Sequence, residues 1–96
     1  MFTYKTDPEL YIEKANILKA LAHPVRLCIA KTLCENEHSY VTDMQMCLGE
    51  AQSTVSQHVS KLKSAGIIVG RREGTRIYYS LANEDVRDLI RVFIKK

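Results

Sequence analysis

The side chains best equipped for recognition chemistry lie close together, in the stretch STVSQHVSKLKSAG from Ser53 to Gly66. Val55, Val59, Leu62 and Ala65 recur at intervals of four, three and three, which sets them on one stripe of a helix. The other face gathers Ser53, Thr54, Ser56, Gln57, His58, Ser60, Lys61, Lys63 and Ser64, without a single Asp or Glu. An ordinary solvated face mixes both signs, because acid–base pairs four residues apart support a helix. Short hydroxyl and amide side chains are donors and acceptors suited to base edges, whereas carboxylates would repel phosphate. Gln makes a bidentate pair with adenine, Ser and Thr contact several bases or phosphates, and the Thr54 methyl suits thymine. Gln52, Ser53, Thr54, Ser56, Gln57 and His58 are therefore the candidate readers, with a helix-packing role for His58 as the alternative. Lys61 and Lys63, further along, suit phosphate better than bases.

The basic charge concentrates around this stretch. Residues 1–50 hold seven acids against five bases, whereas residues 51–83 hold Lys61, Lys63, Arg71, Arg72 and Arg76 against Glu73 alone. The net charge of the chain is only +3, so its distribution carries the information. A local basic patch suits a polyanion. Arg71, Arg72 and Arg76 flank Gly74 between the runs IIVGRR and RIYYSL, whose β-branched and aromatic residues predict a β-hairpin with a charged tip. Gly74 supplies the positive φ that a tight turn needs. Tyr78 and Tyr79 alternate on the second strand, so one packs inward and the other lies near the surface.

The thiols are the other reactive groups. Cys28, Cys34 and Cys47 are an odd number and include no CxxC pair, which argues against a disulfide framework or a zinc knuckle. Cys28 and Cys34 stand six apart on one helix, about 240° around it, and do not face each other. Each can still meet Cys47 or a thiol of a second copy. The three are possible sensing residues for oxidants, persulfides or a soft metal ion; the alternative is that they fill the core as small hydrophobes. Met44, Met46 and Cys47 read as core filler before they read as a soft-metal site. His23, before Pro24, reads as structural, and His38 as a solvated loop residue. Metal ligands are expected to be absent and no cofactor is called for.

Helices and turns must position these groups. Asp7-Pro8-Glu9 reads as an N-cap, a first-position Pro and an acid in the first turn, opening a helix that runs to about Ala22. His23-Pro24 breaks it and starts a second helix, which buries a combination of Leu27, Ile29, Ala30 and Leu33. NEHS is a polar loop. Thr42 and Gln45 fit a capping box for a short third helix ending at Gly49. A tight turn leads into the acid-free helix, which Gly66 ends. Asn83, with Glu84 and Asp85 behind it, caps a last helix whose apolar residues are Val86, Leu89, Ile90 and Phe93. The expected fold is mainly α with a small β-hairpin (α+β), in the order α-α-α-α-β-β-α. A short helix, a tight turn and a second helix form a helix-turn-helix, and the basic hairpin behind it makes the winged version. In that arrangement the second helix of the pair enters the major groove with its first turns toward base edges.

Ninety-six residues fit one domain, and 46% hydrophobic with 26% charged residues is an ordinary globular composition. The N-terminus lacks the apolar run of a signal peptide, and no apolar stretch approaches a membrane span. A cytoplasmic protein with reduced thiols is expected, without a membrane partner. A nucleophile elbow, a phosphate-binding Gly loop, a paired-carboxylate site and a metal motif are all missing, which argues against an enzyme.

The segments LKALAHPVRLCIAKTL, STVSQHVSKLKSAGII and RREGTRIYYSL, followed by the final helix, together resemble the ArsR/SmtB family of repressors over about residues 10–95. The resemblance implies a winged-helix homodimer bound to an inverted-repeat operator in double-stranded DNA. It also implies a dimer interface built from the first and last helices, for which Leu10, Leu18, Leu89, Ile90 and Phe93 are the apolar candidates. It implies release by a metal, another inducer or cysteine oxidation. The family's metal sites do not carry over. Tyr40 and Thr42 match the positions of a Cys-x-Cys pair. Asn83 and Asp85 match an Asp-x-His on the last helix, and the later His pair has no counterpart before Lys96. Ala51 stands where the recognition helix usually has a Ser cap. The competing reading is a winged-helix module that binds protein, or a constitutive DNA-binding protein without an inducer.

Overall fold

The computed structural model describes residues 3–36, 39–40, 49 and 51–95, with the backbone alone at 39, 40 and 52. The elements are α1 (Pro8–Leu21), α2 (Pro24–Glu35), β1 (Ser39–Tyr40), α3 (Gln52–Ser64), β2 (Ile68–Glu73), β3 (Arg76–Leu81) and α4 (Glu84–Phe93). The short helix expected from Thr42 lies outside the described residues, as do His38, Met44, Met46 and Cys47. Gly49, its expected terminus, has a φ of +69°.

Side chains start the helices as their types dictate. The Asp7 carboxylate accepts from the Leu10 N–H at 3.3 Å, with Pro8 at the first helical position of α1. Asn83 accepts from the Val86 N–H at 3.1 Å and opens α4. His23 also acts as a cap: its Nδ1 accepts from the Val25 N–H at 3.1 Å, ahead of Pro24. The structural role expected for His23 is thus a specific one. α3 stops in a Schellman turn. Gly66, at φ +74°, lets its own N–H reach the Lys63 carbonyl and the Ile67 N–H reach that of Leu62. Ile67 and Leu62, both fully buried, supply the apolar contact that accompanies this turn.

The sheet has the order β1-β3-β2 and is antiparallel throughout. β2 and β3 form the expected hairpin, with Glu73 opposite Arg76 across the two-residue loop Gly74-Thr75. Gly74 has a φ of +66° and Thr75 a negative one, the pattern of a type II′ turn. β1 corrects the expected polar loop: Ser39 pairs with Tyr79, and Tyr40 with Tyr78. A two-residue strand leaves no alternation to read, and it forms because β3 offers an open edge.

One core joins the helices and the sheet. It contains Ile17, Ala20 and Leu21 of α1, Ile29, Ala30 and Leu33 of α2, and Val55, Val59 and Leu62 of α3. Ile67, Ile68, Tyr79, Leu81, Val86 and Ile90 complete it. Leu27 and Ala65 pack at its margin. Burying a side chain such as Leu62 contributes about 1.5–3 kcal/mol, so the apolar edge of α3 anchors the helix and leaves its polar face outward.

Candidate nucleic-acid interface

α3 divides as its spacing requires. Val55, Val59 and Leu62 are buried, while Ser53, Ser56, Gln57, Lys61 and Lys63 are exposed. At 100° per residue, Ser53, Gln57, Ser60 and Ser64 line the middle of the outer face. Ser56 and Lys63 flank it on one side, Lys61 on the other. Thr54 and His58 are half-buried at the Lys61 edge, and Gln52 is known only by its backbone. Ala51 has no side-chain acceptor for the first N–H groups of α3. The last turn carries Lys61 and Lys63, which complement the negative end of the helix dipole.

The hairpin carries its arginines on two faces. Strand alternation and register put Arg71 with Tyr78, and Glu73 with Arg76, on the outer face. Arg72, opposite Ile77, projects from the other face, beyond the pair of half-buried Gly70 and buried Tyr79. All three arginines are exposed. Tyr79 is the inward tyrosine of the pair and Tyr78 the half-buried one. Among the described residues no carboxylate lies within ion-pair distance of Lys61, Lys63, Arg71 or Arg72. α3 and the hairpin, joined through the Gly66 turn, thus carry five cations with Glu73 as their one acid. Such a surface holds a polyanion by charge and offers neutral hydrogen-bonding groups at its centre.

His58 turns toward the body of the protein. Its ring lies 4.3 Å from that of His23, centroid to centroid, at 42°. The contact ties α3 to the cap of α2 and gives His58 the packing role.

The thiols separate. Cys28 is exposed, which corrects the core-filler reading for that residue: it lies on the side of α2 away from Ile29, Ala30 and Leu33. Cys34 is half-buried and clasped to α4. Its Sγ donates to the Arg87 carbonyl at 3.8 Å, and Arg87 Nη1 donates to the Cys34 carbonyl at 3.3 Å. Cys47 lies outside the described residues. Among those described, no three His, Cys, Asp or Glu side chains gather in a group that could hold a metal ion.

Of the interface candidates, Leu18 is 56%, Leu89 39% and Phe93 72% exposed, and Leu10 is half-buried. Ile90 is 1% exposed and belongs to the core of the chain itself. Leu18, Leu89 and Phe93, with Leu21, Ala22 and Leu27, line an apolar groove of about 250 Å³. An exposed ion pair, Lys14 to Asp85 at 3.7 Å, joins α1 and α4 beside this face.

Sequence reasoning passed over Arg26. This residue sits half-buried in a cleft between α1, α2 and α3, and its Nε is fully buried without a hydrogen-bond partner among the described residues. The signal was present. Arg26 is three and four residues before Ile29 and Ala30, so a cation stands on the apolar stripe of α2.

The fold and this surface define a winged helix-turn-helix DNA-binding regulator. Residues 23–69 match the bacterial regulatory protein, arsR family. The transcriptional repressor PagR of Bacillus anthracis is 38% identical over 80 residues, 83% of this chain and 80% of that protein. Its crystal structure aligns with a TM-score of 0.81 at 36% identity, over 88% of this chain and 95% of that one. Reduced HlyU from Vibrio cholerae aligns with a TM-score of 0.87 at 26% identity, over 97% of this chain and 96% of that one. A homodimeric winged helix-turn-helix DNA-binding domain from Mycobacterium bovis aligns with a TM-score of 0.81 at 35% identity, over 96% and 82% of the two chains. This chain belongs to the ArsR family of regulatory proteins, and it is not an enzyme. No helix among the described residues is long and apolar enough to cross a membrane.

Proposed function

We propose that this chain is a homodimeric transcriptional repressor of the cytoplasm. Residues 1–96 act as a single DNA-binding domain. Two copies pair through α1 and α4 and present their α3 helices to the two halves of an inverted-repeat operator. Ser53, Thr54, Ser56 and Gln57 read base edges. Gln52 joins them by position, and His58 supports the helix from behind. Lys61, Lys63, Arg71, Arg72 and Arg76 grip the flanking phosphates. The observation that carries this reading is the exposed face of α3, free of carboxylates from Gln52 to Ser64, beside an arginine-bearing hairpin. The homodimeric domain from Mycobacterium bovis supports the pairing, and the exposed Leu18, Leu89 and Phe93 supply apolar surface for it. A helix of this kind in the major groove, with phosphate contacts alongside, is the usual division between specificity and affinity.

Repression ends when an inducer acts. The exposed Cys28 favours thiol chemistry, oxidation or persulfidation, as the trigger, with a soft metal ion as the alternative ligand of the same thiols. The test is binding to the protein's own promoter region with and without Zn(II), Cd(II), Cu(I), peroxide and polysulfide. Loss of DNA on one of these, abolished when Cys28, Cys34 and Cys47 are replaced by Ser, supports thiol control. An unchanged response after all three replacements excludes it, and no response of the wild type to any of these agents leaves a constitutive repressor or one controlled by another protein.

A further inference from the structure

The cleft around Arg26 holds more positive charge than its surroundings neutralise. It has a volume of about 420 Å³ and lies between α1, the start of α2 and the second half of α3. Asn16, Lys19, Arg26, Ser60, Lys61 and Ser64 line it, and no acid among the described residues does. Among the described residues neither Lys19, Arg26 nor Lys61 has a carboxylate within ion-pair distance. The Arg26 Nε is buried with no acceptor among the described residues. A buried donor without a partner costs stability, and like charges in one cleft repel. An oxyanion in the cleft would offset the repulsion among these cations. The lining suits a phosphate group: the Arg26 guanidinium and two ammonium groups for charge, and hydroxyls and an amide to donate to its oxygens.

The position of the cleft indicates where the phosphate comes from. Ser53 and Gln57 share one stripe of α3 with Ser60 and Ser64, and the stripe runs from the first turn into the cleft. Ser53 and Ser64 lie about 16 Å apart along the helix. The major groove is about 12 Å wide, so a helix that reads bases with its first turns brings its second half past the bordering sugar–phosphate strand. We infer that the Arg26 cleft is a phosphate clamp, in which Arg26, Lys19 and Lys61 hold one backbone phosphate of the operator in each half-site. This inference rests on the DNA-binding reading above and adds a contact from outside the recognition helix and the hairpin.

The test compares wild type, Arg26→Met and Arg26→Lys for binding to the native promoter duplex across a salt series. Thermal melting of the same proteins accompanies it. Arg26→Met should weaken binding roughly tenfold per half-site at moderate salt. It should also reduce the slope of log affinity against log salt by about one unit per protomer. The order of preference among operator variants should not change. Arg26→Lys should keep most of the slope, and the melting temperature of Arg26→Met should hold or rise, since a buried orphan donor is gone. A purely structural Arg26 would instead lower the melting temperature and leave the slope intact, which overturns the clamp. If inorganic phosphate raises the melting temperature of wild type but not of Arg26→Met, while the salt slopes agree, the site takes a free anion and the operator assignment falls. If the wild type shows no salt-dependent DNA binding at all, the underlying reading fails before the clamp is reached.

Discussion

At the scale of single residues, the DNA-binding function proposed above divides the polar face of α3 into side chains that would choose a sequence and those that would hold any sequence. Gln57 is exposed in the middle of the outer face, four residues from Ser53. Gln57→Ala should relax base preference at one position of each half-site, by about 1–3 kcal/mol, with little change in salt dependence. Binding-site selection with the variant checks this, and an unaltered consensus removes Gln57 as a reader. Arg76 differs. It stands opposite Glu73 on the exposed face of the hairpin. Arg76→Ala should weaken binding to all duplexes alike and make the salt dependence shallower by about one unit per protomer. If neither changes, the hairpin does not hold phosphate. The exposure of Gln57 was legible in the sequence, because exposure on a helix follows directly from spacing. The clasp between Cys34 and Arg87 was not, since 53 positions separate the partners and only the packing of α4 on α2 brings them together. The exposure of Cys28 lay in between. The thiol falls off the stripe of Ile29, Ala30 and Leu33, yet the habit of free cysteines to be buried pointed the other way.

At the scale of elements, local chemistry set the boundaries well. Asp7, Asn83, Pro24 and Gly66 each act where the expected helix begins or ends. Asn83→Ala should cost about 1 kcal/mol through loss of the cap on α4, measurable by chemical denaturation. The hairpin is more sensitive. Gly70 faces Tyr79 across the ladder, and a Cβ at Gly70 would fall 2.8 Å from the Tyr79 ring and 3.2 Å from the Ile77 methyl. Gly70→Val should therefore destabilise the protein by about 1–3 kcal/mol through overpacking and disturb the Arg-bearing strand. A variant as stable as wild type would mean that the ring moves aside freely. The need for Gly70 was hidden in the sequence, because it comes from the partner strand and not from a turn. β1 was hidden for a similar reason: two residues carry no periodicity, and their pairing depends on the edge that β3 leaves open.

At the scale of the whole molecule, an apolar surface remains among the described residues after the core is complete. Leu18, Leu89 and Phe93 stay exposed along α1 and α4, next to a groove of their own side chains. A second copy seated there would pair the two α3 helices on one duplex, as a two-fold operator requires. Phe93→Glu should leave the fold unchanged, since the ring is already in water, but it should yield monomers by sedimentation and sharply lower operator affinity. Dimers that persist would place the interface elsewhere. The general outline of winged helices was legible from the order of patterned segments. The placement of Ile90 in the core and of Phe93 outside it needed the three-dimensional packing, because both lie on the same apolar arc of α4. The most direct measurement is a titration of the intact chain with its own promoter duplex and with an unrelated duplex, repeated over a range of salt. The DNA-regulator reading requires affinity for the promoter that falls linearly in log–log form with a slope of several units, and affinity for the unrelated duplex that is lower by about a thousandfold or more. Equal affinity for both duplexes, or no salt-dependent binding to either, would contradict it.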